Sequence, residues 1–447
     1  MSIQKSIFEE LILESNDGKR TIDIKTGAIS IDYYEDIFSP TITARIHVVN
    51  DGNTIPSAKN PDGERQSIYN GLPLRGGERV SLKIAGNSTT NPGLNFSEKP
   101  SDYLYVSSIT DVISESLRET FTLHLVSREA ITNETSRVSK KYPTSLSIDQ
   151  SVNKILTDYL KANKVGTLDK SSNKYGFIGN MRKPFTVLVW LASKAVPESS
   201  GDATAGFVFY QTRDGFQFRA IDSLLNPKKN AKKAIYTYYQ TMVSYDNDGK
   251  KIDNNFKILK YLTDKNQNLV EKLRLGTYAS HRMFFNPYDF KFSKYEEGLF
   301  RQKDYVSKSQ NLGEDLKLPP LGDGTDRTLG DVPSRIITAI YDVGTLEKGV
   351  STSINSDQKK YQSQSLMRYN TLVTQTLSIT VPSNTNLRAG DLIECRFPKI
   401  SRSDINEYDT ETTGLYMIKE LCHHFDAERS YTSMKLVRDT FGINKAA

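Results

Sequence analysis

The sequence is poor in cysteine and almost without tryptophan. Its two cysteines, Cys395 and Cys422, stand in 447 residues. That is too few for the bridge framework of a small disulfide-rich secreted fold, and folding in a reducing cytoplasm is the expectation. No apolar run reaches the ~18 residues of a membrane-spanning helix, so no membrane partner is expected. The opening MSIQKSIFEELILES carries acids inside its apolar stretch and no small-residue cleavage site, so it is not expected to act as a signal peptide. Neither sign of charge dominates: 59 basic residues against 53 acidic ones leave +6, spread along the chain. A nucleic-acid binder is usually more lopsided.

Catalytic and metal-binding patterns are missing as well. There is no G-x-x-x-x-G-K-[ST], no G-x-G-x-x-G after a strand, no G-x-S-x-G and no H-E-x-x-H. Of the five histidines (His47, His124, His281, His423 and His424), the adjacent last two would point to opposite faces of a strand. Cys422 and His424 would share a face, but two ligands do not make a zinc site. YDNDGKK (245–251) resembles a calcium loop until Lys250, which stands where an oxygen ligand belongs, and a hairpin turn explains it better. DGTDRTLGD (323–331) has acids and glycines without a further ligand at a recognised spacing. The carboxylate pair of a glycosidase meets only in the fold, but the acids of the α+β segment, Glu198, Asp202, Asp214 and Asp222, read as an unremarkable set for a solvated surface. The basic run NPKKNAKKA (226–234) reads as a solvated loop, and the aromatics of AIYTYYQ read as packing. The expectation is a protein with no catalytic site, no cofactor and no metal.

What the chain does have is strand pattern. Apolar residues make up 37% and charged residues 25%, which fits a globular protein of roughly three domains and argues against wholesale disorder. Residues 1–130 read as β-rich. Ile22 and Ile24, then Ile29, Ile31 and Tyr33, alternate on either side of Gly27, and Ile42, Ala44, Ile46 and Val48 follow. Phe8, Leu11 and Leu13 fit either a helix or a strand. Residues 51–73 read as a long loop. From 131 to 230 the pattern becomes α+β. Ile148, Val152, Ile155 and Tyr159 fall at helical spacing behind an N-cap at Ser147. A second helix starts near Pro184. GFVFYQTRDGFQF makes a hairpin turning at Asp214-Gly215. Residues 231–365 are mixed, with a helix at NQNLVEKLRLG stopped by Gly276. The polar stretch 301–365 is expected to run over other domains or subunits, with a short ordered piece at RIITAIYDVG. From 366 to 447 strands return.

The two β regions share a sentence. LRGGERVSLKI (74–84) and LRAGDLIECRF (387–397) place Leu74, Arg75, Gly77 and Glu78 opposite Leu387, Arg388, Gly390 and Asp391. Further on, residues 104–126 lie on 415–437 without a gap, matching Tyr105 and Arg118 to Tyr416 and Arg429. Upstream, 41–48 lies on 374–381. The glycine suits a backbone conformation that other residues resist, and a strand of inward apolar and outward charged residues follows. Short strands so connected suit a small antiparallel barrel or sandwich, and the expected fold is mainly β with an α+β insertion: two antiparallel barrels, at 1–130 and 366–447, plus the smaller module. The second barrel is expected to be discontinuous, borrowing strands from about 250–300.

MRYNTLVTQTLSITVPSNTNLRAGDLIECRFP (367–398), followed by GLYMIKELCHHFDAERSYTSMKLV, resembles the C-terminal tube-type barrel of the central baseplate hub of contractile-tailed, T-even-like phages. That family is related to the hub portion of the type VI secretion spike protein VgrG. GFVFYQTRDGF resembles the hairpin in the middle of these hubs. The resemblance implies a structural virion protein of the tail baseplate. It would be a homotrimer whose six barrels continue a sixfold tail tube and whose other face seats a threefold cell-puncturing spike. Its partners would be itself, the tube protein and the spike protein, with baseplate wedge or other hub proteins as further neighbours. DNA would only pass through the channel. Two alternatives stay open: another tail adaptor or distal tail protein, and a carbohydrate-binding or wall-hydrolysing β protein.

Overall fold

The computed structural model describes residues 4–52, 54–56, 65–116, 118–198, 204–226, 236–240, 251–266, 268–305, 311–342, 358–400 and 408–442. Strands account for 42% and helices for 19%, so the chain is mainly β. The opening segment is a strand, β1 (Phe8–Glu14), which buries Leu11 and Leu13 on one face. It is followed by β2 (Thr21–Asp23), β3 (Ala28–Asp36) and β4 (Thr43–Asp51). In β3 the alternation buries Ile31 and Tyr33. Ile29 does not join them: the pairing with β4 slips between Ala28 and Ser30, and Ile29 is left half exposed. Three longer strands complete this region: β5 (Arg79–Ala85), β6 (Leu104–Ser114) and β7 (Arg118–Val126).

The middle of the chain holds α1 (Arg128–Thr135), α2 (Ile148–Ile155), β8 (Val165–Leu168), α3 (Pro184–Ala192) and the hairpin β9 (Phe207–Thr212) and β10 (Gly215–Ala220). Ser147 precedes α2 in an extended conformation, and the Gln150 side chain accepts its N–H at 3.3 Å. Pro184 is the first residue of α3, where its missing N–H has no helical partner to lose. The hairpin turns at Asp214-Gly215. Phe207 stacks on Phe218 and Phe209 on Phe216, at 4.7 and 5.7 Å between ring centroids.

Next come β11 (Thr237–Tyr239), β12 (Lys260–Asn266), α4 (Leu269–Leu275), β13 (Ala279–Asn286) and β14 (Arg335–Ile340), which pairs parallel with β13. α4 is closed by Gly276 in the left-handed region. The chain then forms α5 (Gln358–Leu372), a helix that no apolar period in the sequence announces. The reason is physical. Much of the buried face of α5 is polar (Ser363, Gln364, Ser365, Arg368 and Thr371), so no apolar period marks it. The final strands are β15 (Gln375–Pro382), β16 (Leu392–Arg396), β17 (Gly414–Asp426) and β18 (Ser430–Arg438).

One large sheet runs through both β regions, in the order β12-β15-β18-β17-β3-β4-β7-β6-β5-β1-β2, with β11 and β16 branching from β17. The expectation of two separate barrels is modified here. No closed barrel is found among the described residues, and β17 hands the sheet directly to β3. One buried cluster lies under the first region and another under the second. A third fills the α+β module. A fourth gathers Ile37, Tyr210, Leu224, Leu372, Ala389 and Met417, so the three parts meet in a common core. The basic run at 226–234 and the calcium-like loop at 245–251 lie outside the described residues, apart from their end residues Asn226 and Lys251.

Candidate assembly interface

Five strands of the first region, β3-β4-β7-β6-β5, follow the same spatial order as five of the second, β12-β15-β18-β17-β16. The registers agree as well. Ile46 faces Leu123 in the first set, and Ile379 faces Met434 in the second. Both are the pairs that the sequence match would superpose. The outer hairpins turn alike: Glu115 donates its N–H to the Arg118 carbonyl at 2.7 Å, and Asp426 donates to Arg429 at 3.0 Å. In the second set, β12 and β11 come from 260–266 and 237–239.

The glycine turns match in detail. Gly77 and Gly390 have φ of 87° and 90°, where a side chain is strained. Glu78 accepts the Arg75 N–H at 2.7 Å, and Asp391 accepts the Arg388 N–H at 2.9 Å. The Gly77 N–H donates to the Val106 carbonyl and the Gly390 N–H to the Ile418 carbonyl. Leu74 and Leu387 are both buried. The arginines diverge. Arg75 is exposed, whereas Arg388 is buried and donates to Asp214 at 2.8 Å and to the Thr385 and Leu387 carbonyls.

The tyrosines do not become counterparts. Val80 faces Leu104, but Ile393, its equivalent, faces Tyr416. β6 shifts register twice and β17 once, so the ungapped match slips by one residue at its early end. Asp111, at the extra bulge of β6, takes a φ of 55°. Tyr416 is buried and donates to the Thr412 carbonyl at 2.6 Å, while Tyr105 is half buried. Arg118 and Arg429 are exposed at equivalent turn positions.

The joint between the sets lies at β17 and β3, paired antiparallel from Glu420–Asp36 to Asp426–Ser30. Above it sits Glu35, which no sequence motif marks. Its carboxylate accepts from the Tyr33 hydroxyl (2.8 Å), the Arg213 N–H (2.9 Å) and the Ala389 N–H (3.0 Å). It therefore ties the first set, the module's hairpin and the second glycine turn. The one available signal was its place on the buried face of β3, after Ile31 and Tyr33. A polar cavity of about 440 Å³ between the hairpin and this turn is lined by Tyr210, Arg219, Arg388 and Asp391, among others.

His423 and His424 do point apart. His423 stacks on Tyr33 and contacts Thr432 Oγ1 at 3.0 Å; burial pushes its pKa down to about 3. His424 lies between Asp32 (2.6 Å) and Asp426 (3.2 Å), and the Asp32 contact raises its pKa. Cys422 Sγ also faces Asp32, at 3.8 Å, and burial pushes the thiol up to about 12. No group of three or more His, Cys, Asp or Glu that could hold a metal occurs among the described residues. His47 contacts Thr122, His124 contacts Thr110, and His281 contacts the Tyr295 carbonyl. Asp214 and Asp222, two of the acids considered for hydrolysis, are paired with Arg388 and Arg368. Asp323 and Asp331 hold the turn at 323–331 by accepting from Thr325 and Thr328.

No protein-family model matches the sequence, and no curated protein matches it. Solved structures do. The chain aligns with a tail protein from Neisseria meningitidis MC58 over 96% of each chain, at 10% identity and a TM-score of 0.52. It also aligns with the 43 kDa tail protein of prophage MuSo2 from Shewanella oneidensis, over 98% of this chain and 100% of the other, at 9% identity and a TM-score of 0.48. The first alignment shows a shared fold across nearly the whole length.

Proposed function

We propose that this chain is a structural virion protein, the trimeric central hub of a contractile phage tail or a related injection machine. Each chain carries two copies of one five-strand unit. Three chains then present six such units around a channel, matching a sixfold tail tube on one side while keeping threefold symmetry for a spike on the other. The observation that carries this reading is the common strand order with equivalent pairs in register, Ile46 with Leu123 and Ile379 with Met434. The fold shared with the Neisseria meningitidis tail protein supports it. In this reading the units become tube-like only in the assembled ring. Regions 1–130 and 366–447 supply them, with strands from 231–365, and 131–230 is the packing module. The Leu74–Glu78 and Leu387–Asp391 turns brace each unit. Tube and spike proteins are the partners, the baseplate is the location, and DNA is only cargo.

Sedimentation equilibrium tests the proposal. A mass three times that of the 50.4-kDa chain supports the hub. Six times supports a hexameric tail adaptor instead.

A further inference from the structure

The joint between the two units inside one chain specifies a second joint between chains. In the intrachain joint, β17 of the second unit offers its outer edge to β3 of the first. The counterparts of these strands are β6 and β12. Among the described residues, β6 pairs with β7 along one edge, and its other edge meets β5 only at Leu104 and Tyr105. β12 pairs with β15 alone. Each unit therefore has one edge of the kind already joined within the chain, left open.

An open edge bearing apolar side chains templates pairing with another chain unless it is covered. Val112 and Ile113 on β6 are 40% and 59% exposed; Tyr261 and Leu262 on β12 are 47% and 60% exposed. Their counterparts at the intrachain joint are covered: His423 and Ile31 are buried, and the side chains of His424 and Asp32 are only 16% and 15% exposed.

We infer that Val112–Glu115 of one copy pairs antiparallel with Lys260–Thr263 of a second copy, repeating the β17–β3 joint. The register follows from the equivalences. His424 faces Asp32, and Phe425 faces Ile31. Transferred through the β7 and β15 pairings, these become Ile113 facing Leu262 and Ser114 facing Tyr261. Glu115 then faces Lys260, a pair of opposite charges, and Val112 faces Thr263. The run starts after the extra bulge at Asp111; the bulge that β6 shares with β17 lies further back, between Val106 and Ser108 in β6 and at Lys419 in β17. The joint is heterologous, head to tail, so it closes only as a ring. That the ring closes after three chains rests on the hub reading above; the edge pairing itself does not.

The test is a disulfide. Ile113→Cys and Leu262→Cys are introduced together, and the full-length protein is oxidised mildly and run on a non-reducing gel. Paired antiparallel residues lie within disulfide reach. Covalent trimers, absent from either single variant and lost on reduction, are the expected product. Trimers by sedimentation without cross-linking would overturn the strand joint while leaving the hub reading intact. Cross-linked rings of another size would uphold the joint and overturn the hub reading. A double variant that is folded by circular dichroism and stays monomeric and uncross-linked overturns both.

Discussion

The carboxylate of Glu35 accepts the backbone N–H of Ala389 at 3.0 Å, across 354 positions of sequence. Through that contact and its neighbours, three separately wound parts of the chain share one buried acceptor.

Glu35→Ala removes the acceptor and leaves the Arg213 and Ala389 N–H groups without it. An orphaned buried donor costs about 1–3 kcal/mol, so the expected loss is about 3 kcal/mol of unfolding free energy. It would be read from the urea midpoint. Glu35→Gln keeps one acceptor oxygen and should lose less.

The two glycine turns predict unequal effects from equal substitutions. A Cβ at Gly390 would lie 2.4 Å from the hydroxyl of buried Tyr210, whereas at Gly77 it would meet the Asn16 side chain at 2.7 Å. Both substitutions carry the left-handed backbone penalty of about 1–2 kcal/mol. Asn16 is exposed and can turn away, but Tyr210 is held in the core. Thermal unfolding should therefore show Gly390→Ala to be clearly less stable than Gly77→Ala.

These positions also mark how far the sequence could be read. The Leu-Arg-x-Gly-acid turns and the strand alternation were visible because a positive-φ glycine and a two-residue period leave direct traces. The continuity of the sheet was not visible, because strand edges pair through backbone groups that every residue carries. α5 was hidden by its polar buried face, and Glu35 by being one acid on an apolar strand. The mismatch of Tyr105 with Tyr416 came from a bulge at Asp111, a non-glycine residue that gives no sequence signal.

His423 predicts an acid dependence. Burial lowers its pKa to about 3, with the Arg388 and Arg213 charges acting the same way. Unfolded, it would titrate near 6.5. Between those values the unfolded chain binds the extra proton, so stability falls as pH falls. The loss should be about 2 kcal/mol from pH 7 to pH 5. His423→Gln should remove that part of the slope in urea titrations at the two pH values.

Arg368 is fully buried between Asp222 (2.6 Å) and Asp439 (3.4 Å). Arg368→Met leaves both carboxylates without their shared cation, and the expected destabilisation is about 3–5 kcal/mol. Adding Asp222→Asn and Asp439→Asn should recover much of it, as measured by the same unfolding assay.

The central claim is that one chain contributes two equivalent units to a ring. Electron microscopy of the purified assembly, averaged down its axis, tests it most directly. The account predicts three chains forming six similar lobes at one radius around an open channel. Two lobes per chain at different radii, or a ring whose lobes do not repeat within the chain, would contradict it.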